Sequence, residues 1–259
     1  HAATKPEILW GTFEHFMDRL ICRSATDIVA VSQATRETII NYRWFDTTIN
    51  PIRVIYNGVD IFFSGEKQQV NDIRKMYSLE DLILVGVVGR IERYKGHEDL
   101  ILGVSLLSKE YQEKIKLVFI GPGDDDEIER LKRIKNHCNL TNDLLFTGYI
   151  PGDPQEIIAQ LDLLAVITKD FEGFGLTLAE AMSVGVPILA TNIGAIPEFV
   201  NEEVGTLVPP ESPDMIGERI TDFIRHPNKY QLKAEKAKRH ISKFSGQKMA
   251  RKFHQLFMI

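Results

Sequence analysis

The segment LDLLAVITKDFEGFGLTLAEAMSVG, residues 161–185, decides how this chain folds. Its first part, LDLLAVIT, is an apolar run of strand length, the composition of a strand buried on both faces. Its last part, LTLAEAMSVG, is a helix pattern that stops at a glycine, Gly185. A strand followed so closely by a helix leaves Glu172, Gly173, Phe174 and Gly175 on a loop at the strand's carboxyl end. That is where open α/β sheets bind ligands. Glycines there let the backbone approach a ligand closely, and the exposed N–H groups of the helix start, Leu176 and Thr177, favour an anion such as phosphate. Glu172 and Glu180 bracket this anion site and would repel the anion unless they serve hydroxyl groups. A ligand carrying both phosphate and many hydroxyls is a nucleotide-sugar.

Outward from this segment, strand-like runs alternate with helix-like ones. Strands are expected at 27–32, 52–57, 82–89, 116–121, 144–148, 163–168, 187–191 and 205–208. Amphipathic helices are expected at 97–109, 124–138, 154–161, 175–184 and 213–226. From 82 to 226 this repeated β-α order implies a Rossmann-like, doubly wound parallel sheet in an α/β protein, with right-handed crossovers. Residues 1–62 supply two strands and helix-like runs at 8–21 and 33–42, too little for a complete sheet domain. They are expected to form only part of a second α/β domain. Residues 61–80 read as a linker and lead-in, and 229–257 as two helices. A start at His1 without methionine is expected of a truncated chain.

Composition excludes several classes. The 259 residues are 44% hydrophobic and 26% charged, the balance of a globular protein with a sizeable core. No run approaches the roughly 18 apolar residues of a membrane span, and no signal peptide is evident. A net charge of −5 argues against nucleic-acid binding. Cys22 and Cys138 are far apart and lack CxxC spacing, so reduced thiols in a cytoplasmic protein are expected.

Several motifs occur in a set order: AVS at 30–32, NGVD at 57–60, VVGRIERYKGHEDLI at 87–101, TGYI at 147–150, EGFGLTLAEAMSVGVPILAT at 172–191 and VGTLVPP at 204–210. In these the chain resembles the retaining nucleotide-sugar glycosyltransferases of the two-Rossmann-domain (GT-B) architecture, the group 1 glycosyl transferases. The glutamate pair with its tail is highly specific, whereas GR…KG alone is weak. The resemblance spans about residues 20 to 257. It divides the chain into 1–62, the end of an acceptor-binding domain; 63–240, a donor-binding domain; and 241–259, a helix crossing toward the amino-terminal domain. Most of the acceptor domain is missing from this span.

The resemblance implies a role for each matching residue. Arg90 and Lys95 grip the diphosphate, whose charge grows as it departs. Glu172 lies near the donor sugar, with the backbone of Gly173, Phe174 and Gly175 facing sugar or phosphate. Leu176 and Thr177 offer N–H groups to the phosphate, and Glu180 binds ribose hydroxyls. Gly148, Tyr149 and Ile150 hold the base. The implied reaction transfers a sugar from a nucleoside diphosphate to a sugar or lipid-linked acceptor in glycan or polysaccharide synthesis. It retains configuration and needs neither metal nor cofactor. The rivals are a donor-binding module inactive without an acceptor domain, and a sugar-nucleotide epimerase, which lacks the EGFGLTLAE arrangement.

Other features receive plainer readings. The acidic run Asp124, Asp125, Asp126 and Glu127 opens a helix, where the dipole favours acids, so it is not read as a metal site. NGVD is read as a structural turn. The cations of 229–252 are read as a solvated helix face, with peripheral contact to an anionic membrane as the alternative. His1 sits near where the family carries an acceptor-side histidine. Ala195 in GAIPE replaces a frequent glycine, and Thr168 a frequent serine.

Overall fold

The computed structural model describes residue 17 and residues 20–41, 51–61 and 72–258. His1, most of the helix expected at 8–21 and residues 62–71 of the expected linker lie outside the described residues. The centre of the molecule is a six-stranded sheet in the order β5-β4-β3-β6-β7-β8, every neighbouring pair parallel. Its strands are β3 (Ile83–Val88), β4 (Ile115–Ile120), β5 (Leu145–Gly148), β6 (Leu163–Val166), β7 (Ile188–Thr191) and β8 (Thr206–Val208). A separate two-stranded parallel sheet pairs β1 (Ile28–Ala30) with β2 (Ile52–Val54).

Continuous apolar runs form these strands because both faces of the sheet are covered. Leu84, Val118, Ile120, Leu164, Ile188 and Ala190 point into one core, while Val85, Val87, Leu117, Phe119, Leu163, Ala165 and Leu189 point into the other. The first core is closed by α2 (Ile73–Met76), α6 (Pro154–Ile158), α7 (Leu176–Val184) and α8 (Ile196–Phe199), and by α10 (Pro227–His240) through Ala237. The second is closed by α3 (His97–Ser105), α5 (Asp125–His137) and α9 (Pro213–Arg225). Between α3 and β4 lies α4 (Lys109–Lys114), and α1 (Gln33–Ile40) follows β1.

The strand order places a topological switch at the centre. From β3 the chain winds outward through β4 to β5, then returns to lay β6 beside β3, with Val85 opposite Leu163 and Gly86 opposite Leu164. The loop after β3 leads to α3 on one face, and the loop after β6 leads to α7 on the other. Two loops diverging from adjacent parallel strands open a crevice between them.

The helix expected at 97–109 ends at Ser105, and a second helix, α4, follows from Lys109. The break at 106–108 is sealed by the Gln112 side chain, whose Nε2 donates to the Ser105 and Leu107 carbonyls at 2.9 and 2.8 Å. The carboxyl-terminal stretch forms α10, a 3-10 turn (Ile241–Phe244) and α11 (Gly246–Phe257). Where that chain returns, Val59 of NGVD donates to the Phe244 carbonyl at 2.9 Å, and Gly246 donates back to Val59 at 3.1 Å. Among the cations of the basic stretch, Lys233 reaches the Gly205 carbonyl at 2.7 Å, Lys229 reaches Asp222 at 2.7 Å and Lys252 lies over the Tyr56 ring at 5.9 Å. No helix among the described residues is long and apolar enough to cross a membrane.

Leu164 is fully buried in the central strand β6. Replacing it with alanine should cost about 2–5 kcal/mol through lost contacts and a residual cavity. Denaturant unfolding checks this, and a cost within error of zero would mean that β6 is not in the core.

Candidate active site

A cleft of about 390 Å³ opens over the carboxyl ends of β3 and β6. One wall carries Gly89, Arg90, Tyr94 and Lys95, and the floor and far wall carry Glu172, Gly173, Phe174, Gly175, Leu176 and Thr177. Eight of the residues expected at the site from sequence therefore meet around one space. The ends of β3 and β6 add Val87, Val88, Val166 and Ile167, and the amino-terminal segment contributes Val31 and Asn57.

The backbone fixes the two loops against each other. The turn after β3 is a 3-10 helix (Arg93–Lys95) ending at Gly96, whose φ of 71° is left-handed. A Cβ at Gly96 would overlap the Ile167 carbonyl oxygen at the end of β6, so only glycine lets the turn lie this close. The Tyr94 carbonyl accepts from the Lys169 N–H at 2.7 Å and from the Thr168 hydroxyl at 3.2 Å. Threonine thus keeps the hydroxyl function at position 168. Glu172 is backed by Gly194, where a side chain would strike the Glu172 backbone, and the Ala195 N–H donates to the Glu172 carbonyl at 2.9 Å.

These constraints bring the Lys95 ammonium to 3.0 Å from Glu172 Oε2. Both side chains are mostly shielded from solvent. Arg90 is more exposed and pairs with Glu92 at 2.8 Å. The Tyr94 hydroxyl is pushed up to about 12 by burial and by its hydrogen bond to Glu92. Opposite these cations, Gly175 caps α7 at φ 88°, and Leu176 and Thr177 begin the helix. First-turn N–H groups have no partner within their own helix, so they face the cleft free to bind an anion. The Phe174 ring turns away from the cleft and is buried against Phe199, with ring centres 5.0 Å apart. Only its backbone can meet a ligand.

Glu180 and residues 148–150 lie outside this lining. Glu180 sits one turn into α7, near Asp153, which caps α6 by accepting from the Gln155 N–H at 2.9 Å. Burial, reinforced by the Asp153 charge, pushes the Glu180 carboxyl up to about 7. Gly148 adopts φ 67° and its carbonyl accepts from Gly121, Tyr149 is 74% exposed, and Ile150 packs into the core. Glu180 and this loop therefore stand apart from the groups that line the cleft. In the acidic run, Glu127 is held by Arg130 at 2.8 Å and by Arg93 at 3.3 Å. His97, buried against Phe119, is kept neutral, its pKa lowered to about 4 chiefly by burial.

A model of the family described as glycosyl transferases group 1 matches residues 68–240, well over half of the chain. The chain belongs to that family. It is 28% identical over 208 residues to the uncharacterized glycosyltransferase MJ1607 of Methanocaldococcus jannaschii, covering 78% of this chain and 52% of that protein. It is also 28% identical over 241 residues to the D-inositol 3-phosphate glycosyltransferase of Corynebacterium jeikeium, covering 89% of this chain and 56% of that protein. The chain thus spans little more than half the length of these curated relatives. Among solved structures, Anabaena Alr3699/HepE in complex with UDP and glucose superposes with a TM-score of 0.85 at 23% identity, over 95% of this chain and 67% of that one. That likeness establishes the GT-B type of fold.

Motif reading found the acidic and basic groups but missed the residues that hold them. Val31 and Asn57 lie in AVS and NGVD, whose local sequence signals a landmark and a turn but no part in a cleft. Glu198, three residues beyond Ala195, accepts from the Gln33 and Ala34 N–H groups at 3.0 and 2.7 Å. Nothing in the local sequence signals a contact 164 residues away.

The raised Glu180 pKa has a definite sign. An acid more weakly acidic in the folded state than in the unfolded one destabilises the fold once ionised. The unliganded chain should lose stability as pH rises from about 4.5 through about 7 and level off above. Melting temperature against pH checks this, with Glu180→Gln expected to flatten that slope.

Proposed function

We propose that this chain supplies the donor site of a glycosyltransferase that moves a sugar from a nucleoside diphosphate to an acceptor hydroxyl with retention of configuration. The observation that carries the reading is the Lys95–Glu172 pair, set between Arg90 and the start of α7. Cations and free N–H groups there face the same space as a single carboxylate.

The diphosphate would lie against Arg90, Lys95 and the N–H groups of Gly173 to Thr177. Glu180 would accept from ribose hydroxyls, and the loop 148–150 would hold the base. Fixed positive charge stabilises the departing phosphate without a divalent metal. The bond from the anomeric carbon to the diphosphate breaks, and the acceptor oxygen bonds that carbon from the same face. The acceptor's proton passes to the leaving phosphate. Among the described residues lining the cleft, Glu172 is the one carboxylate, and Lys95 already neutralises it. That pairing suits a group that stabilises positive charge at the anomeric carbon, rather than one that attacks it. MJ1607 and the inositol 3-phosphate enzyme are called glycosyltransferases, and HepE was crystallised with UDP and glucose, which supports a nucleotide-sugar donor. The resemblance to bacterial polysaccharide enzymes supports a role in glycan assembly. The acceptor is proposed to be a sugar or a lipid-linked sugar.

Lys95→Ala should weaken nucleoside diphosphate binding by about 1.5–3 kcal/mol, the range for a hydrogen bond to a charged group. Calorimetry with UDP, GDP and ADP tests this. Unchanged affinity, or binding that appears only with magnesium, would contradict the reading. Nucleotide affinity with no transfer to any acceptor would instead mark a binding module.

The two glutamates should separate in steady-state kinetics. Glu180 touches a part of the donor that changes little along the reaction, so Glu180→Gln should raise the donor KM and spare kcat. Glu172→Gln should lower kcat with a modest change in KM. Matching KM defects with intact kcat in both variants would reduce Glu172 to orienting the sugar.

A further inference from the structure

Glu198 stands outside the cleft, yet its contacts converge on the loop that forms the cleft floor. It lies in α8, and its two oxygens accept from the first two N–H groups of α1, Ala34 to Oε1 at 2.7 Å and Gln33 to Oε2 at 3.0 Å. A carboxylate is suited to this place, since it presents two acceptors and a negative charge to a helix start. The Tyr56 hydroxyl faces the same carboxylate, and burial together with that charge pushes it up to about 12.

From α1, the Thr35 hydroxyl donates to the Gly173 carbonyl at 3.2 Å. From the start of α8, the Ala195 N–H donates to the Glu172 carbonyl at 2.9 Å, while the Glu198 N–H closes the same turn onto Ala195 at 3.0 Å. Two successive carbonyls of the loop are therefore held from two elements, and Glu198 joins those elements. A trans peptide sets its N–H opposite its C=O, and no peptide among the described residues is cis. Holding the Glu172 and Gly173 carbonyls thus turns the Gly173 and Phe174 N–H groups away from Ala195 and Thr35. Tyr56 adds a contact with the Phe174 ring, centre to centre 6.3 Å.

We propose that Glu198 is a positioning residue for the donor loop, a clasp through which docking of α1 and Tyr56 aims the N–H groups of residues 173–174. Its kinetic consequence rests on the reading that this loop meets the donor. Its structural consequence does not. The loop takes its working orientation only while α1 is held, so any displacement of the amino-terminal segment is transmitted to the donor site.

The test compares Glu198→Gln, Thr35→Val, Thr35→Ser and the double variant Glu198→Gln/Thr35→Val. Glutamine keeps one acceptor but turns an NH₂ group toward a helix N–H. Backbone amide resonances of Gly173 and Phe174 report the peptide orientation without any ligand. In both Glu198→Gln and Thr35→Val these two resonances should shift or broaden, and in Thr35→Ser they should match the parent. With UDP-glucose and GDP-mannose as probes, whichever binds the parent should bind either single variant about tenfold more weakly, the equivalent of one hydrogen bond. The double variant should lose no more than the worse single one. Parental resonances in Thr35→Val, or losses that add fully in the double variant, would overturn the clasp. Should Glu198→Gln fail to fold, Thr35→Val against Thr35→Ser still decides it. If the parent binds neither probe while the resonances respond as expected, the clasp stands and the donor assignment falls.

Discussion

The close approach of Gly96 to the Ile167 carbonyl is the constraint on which the cleft depends. It lets the turn after β3 rest on the end of β6, and the Tyr94 carbonyl, taken by Lys169 and Thr168, holds it there. Any side chain at position 96 would separate the turn carrying Arg90 and Lys95 from the loop carrying Glu172. The sheet supplies the setting, because β3 and β6 are adjacent and their loops leave for opposite faces. A packed, two-faced sheet is stiff, so the positions of the charged groups follow from the strand order.

Charge in this cleft is arranged in opposed pairs. Lys95 is held by Glu172 and Arg90 by Glu92, which limits the cost of gathering cations in a partly shielded space. A diphosphate bound there as proposed would compete with carboxylates already in place. Glu180 shows the reverse situation. It is largely buried with the like charge of Asp153 nearby, and its raised pKa records the cost of ionising there. Hydroxyl donors from a ligand would favour its ionised form, so occupancy and ionisation are coupled there.

The amino-terminal segment does more than precede the sheet. It contributes Val31 and Asn57 to the cleft, Thr35 to the Gly173 carbonyl and Tyr56 to an aromatic cluster with Phe174 and Phe244. The chain's last helices close on the same segment, through Val59 with Phe244 and Gly246, and through the Gly58 N–H directed at Met249 Sδ at 3.2 Å. The loop of residues 172–175 is thus supported by the amino-terminal segment, which the last helices brace in turn.

Features with a short period or a local motif could be read from the residues alone. Buried strands, amphipathic helices and the glycine-bounded loops announce themselves within about ten residues, because backbone geometry repeats on that scale. The doubly wound sheet and the strand leading to the loop of Glu172 were legible on those grounds, and the cations at 90 and 95 through the family resemblance. Only the tertiary structure decided which groups meet. Lys95 pairs with Glu172 rather than with its neighbours Glu92, Glu98 or Asp99, Glu198 caps a helix far away in sequence, and NGVD becomes part of the lining. Gly148 to Ile150 and Glu180, which motif order places beside the others, lie outside that lining. The physical reason is the same in each case. Side-chain partners are chosen by strand order and crossover direction, which bring together residues that no local pattern relates.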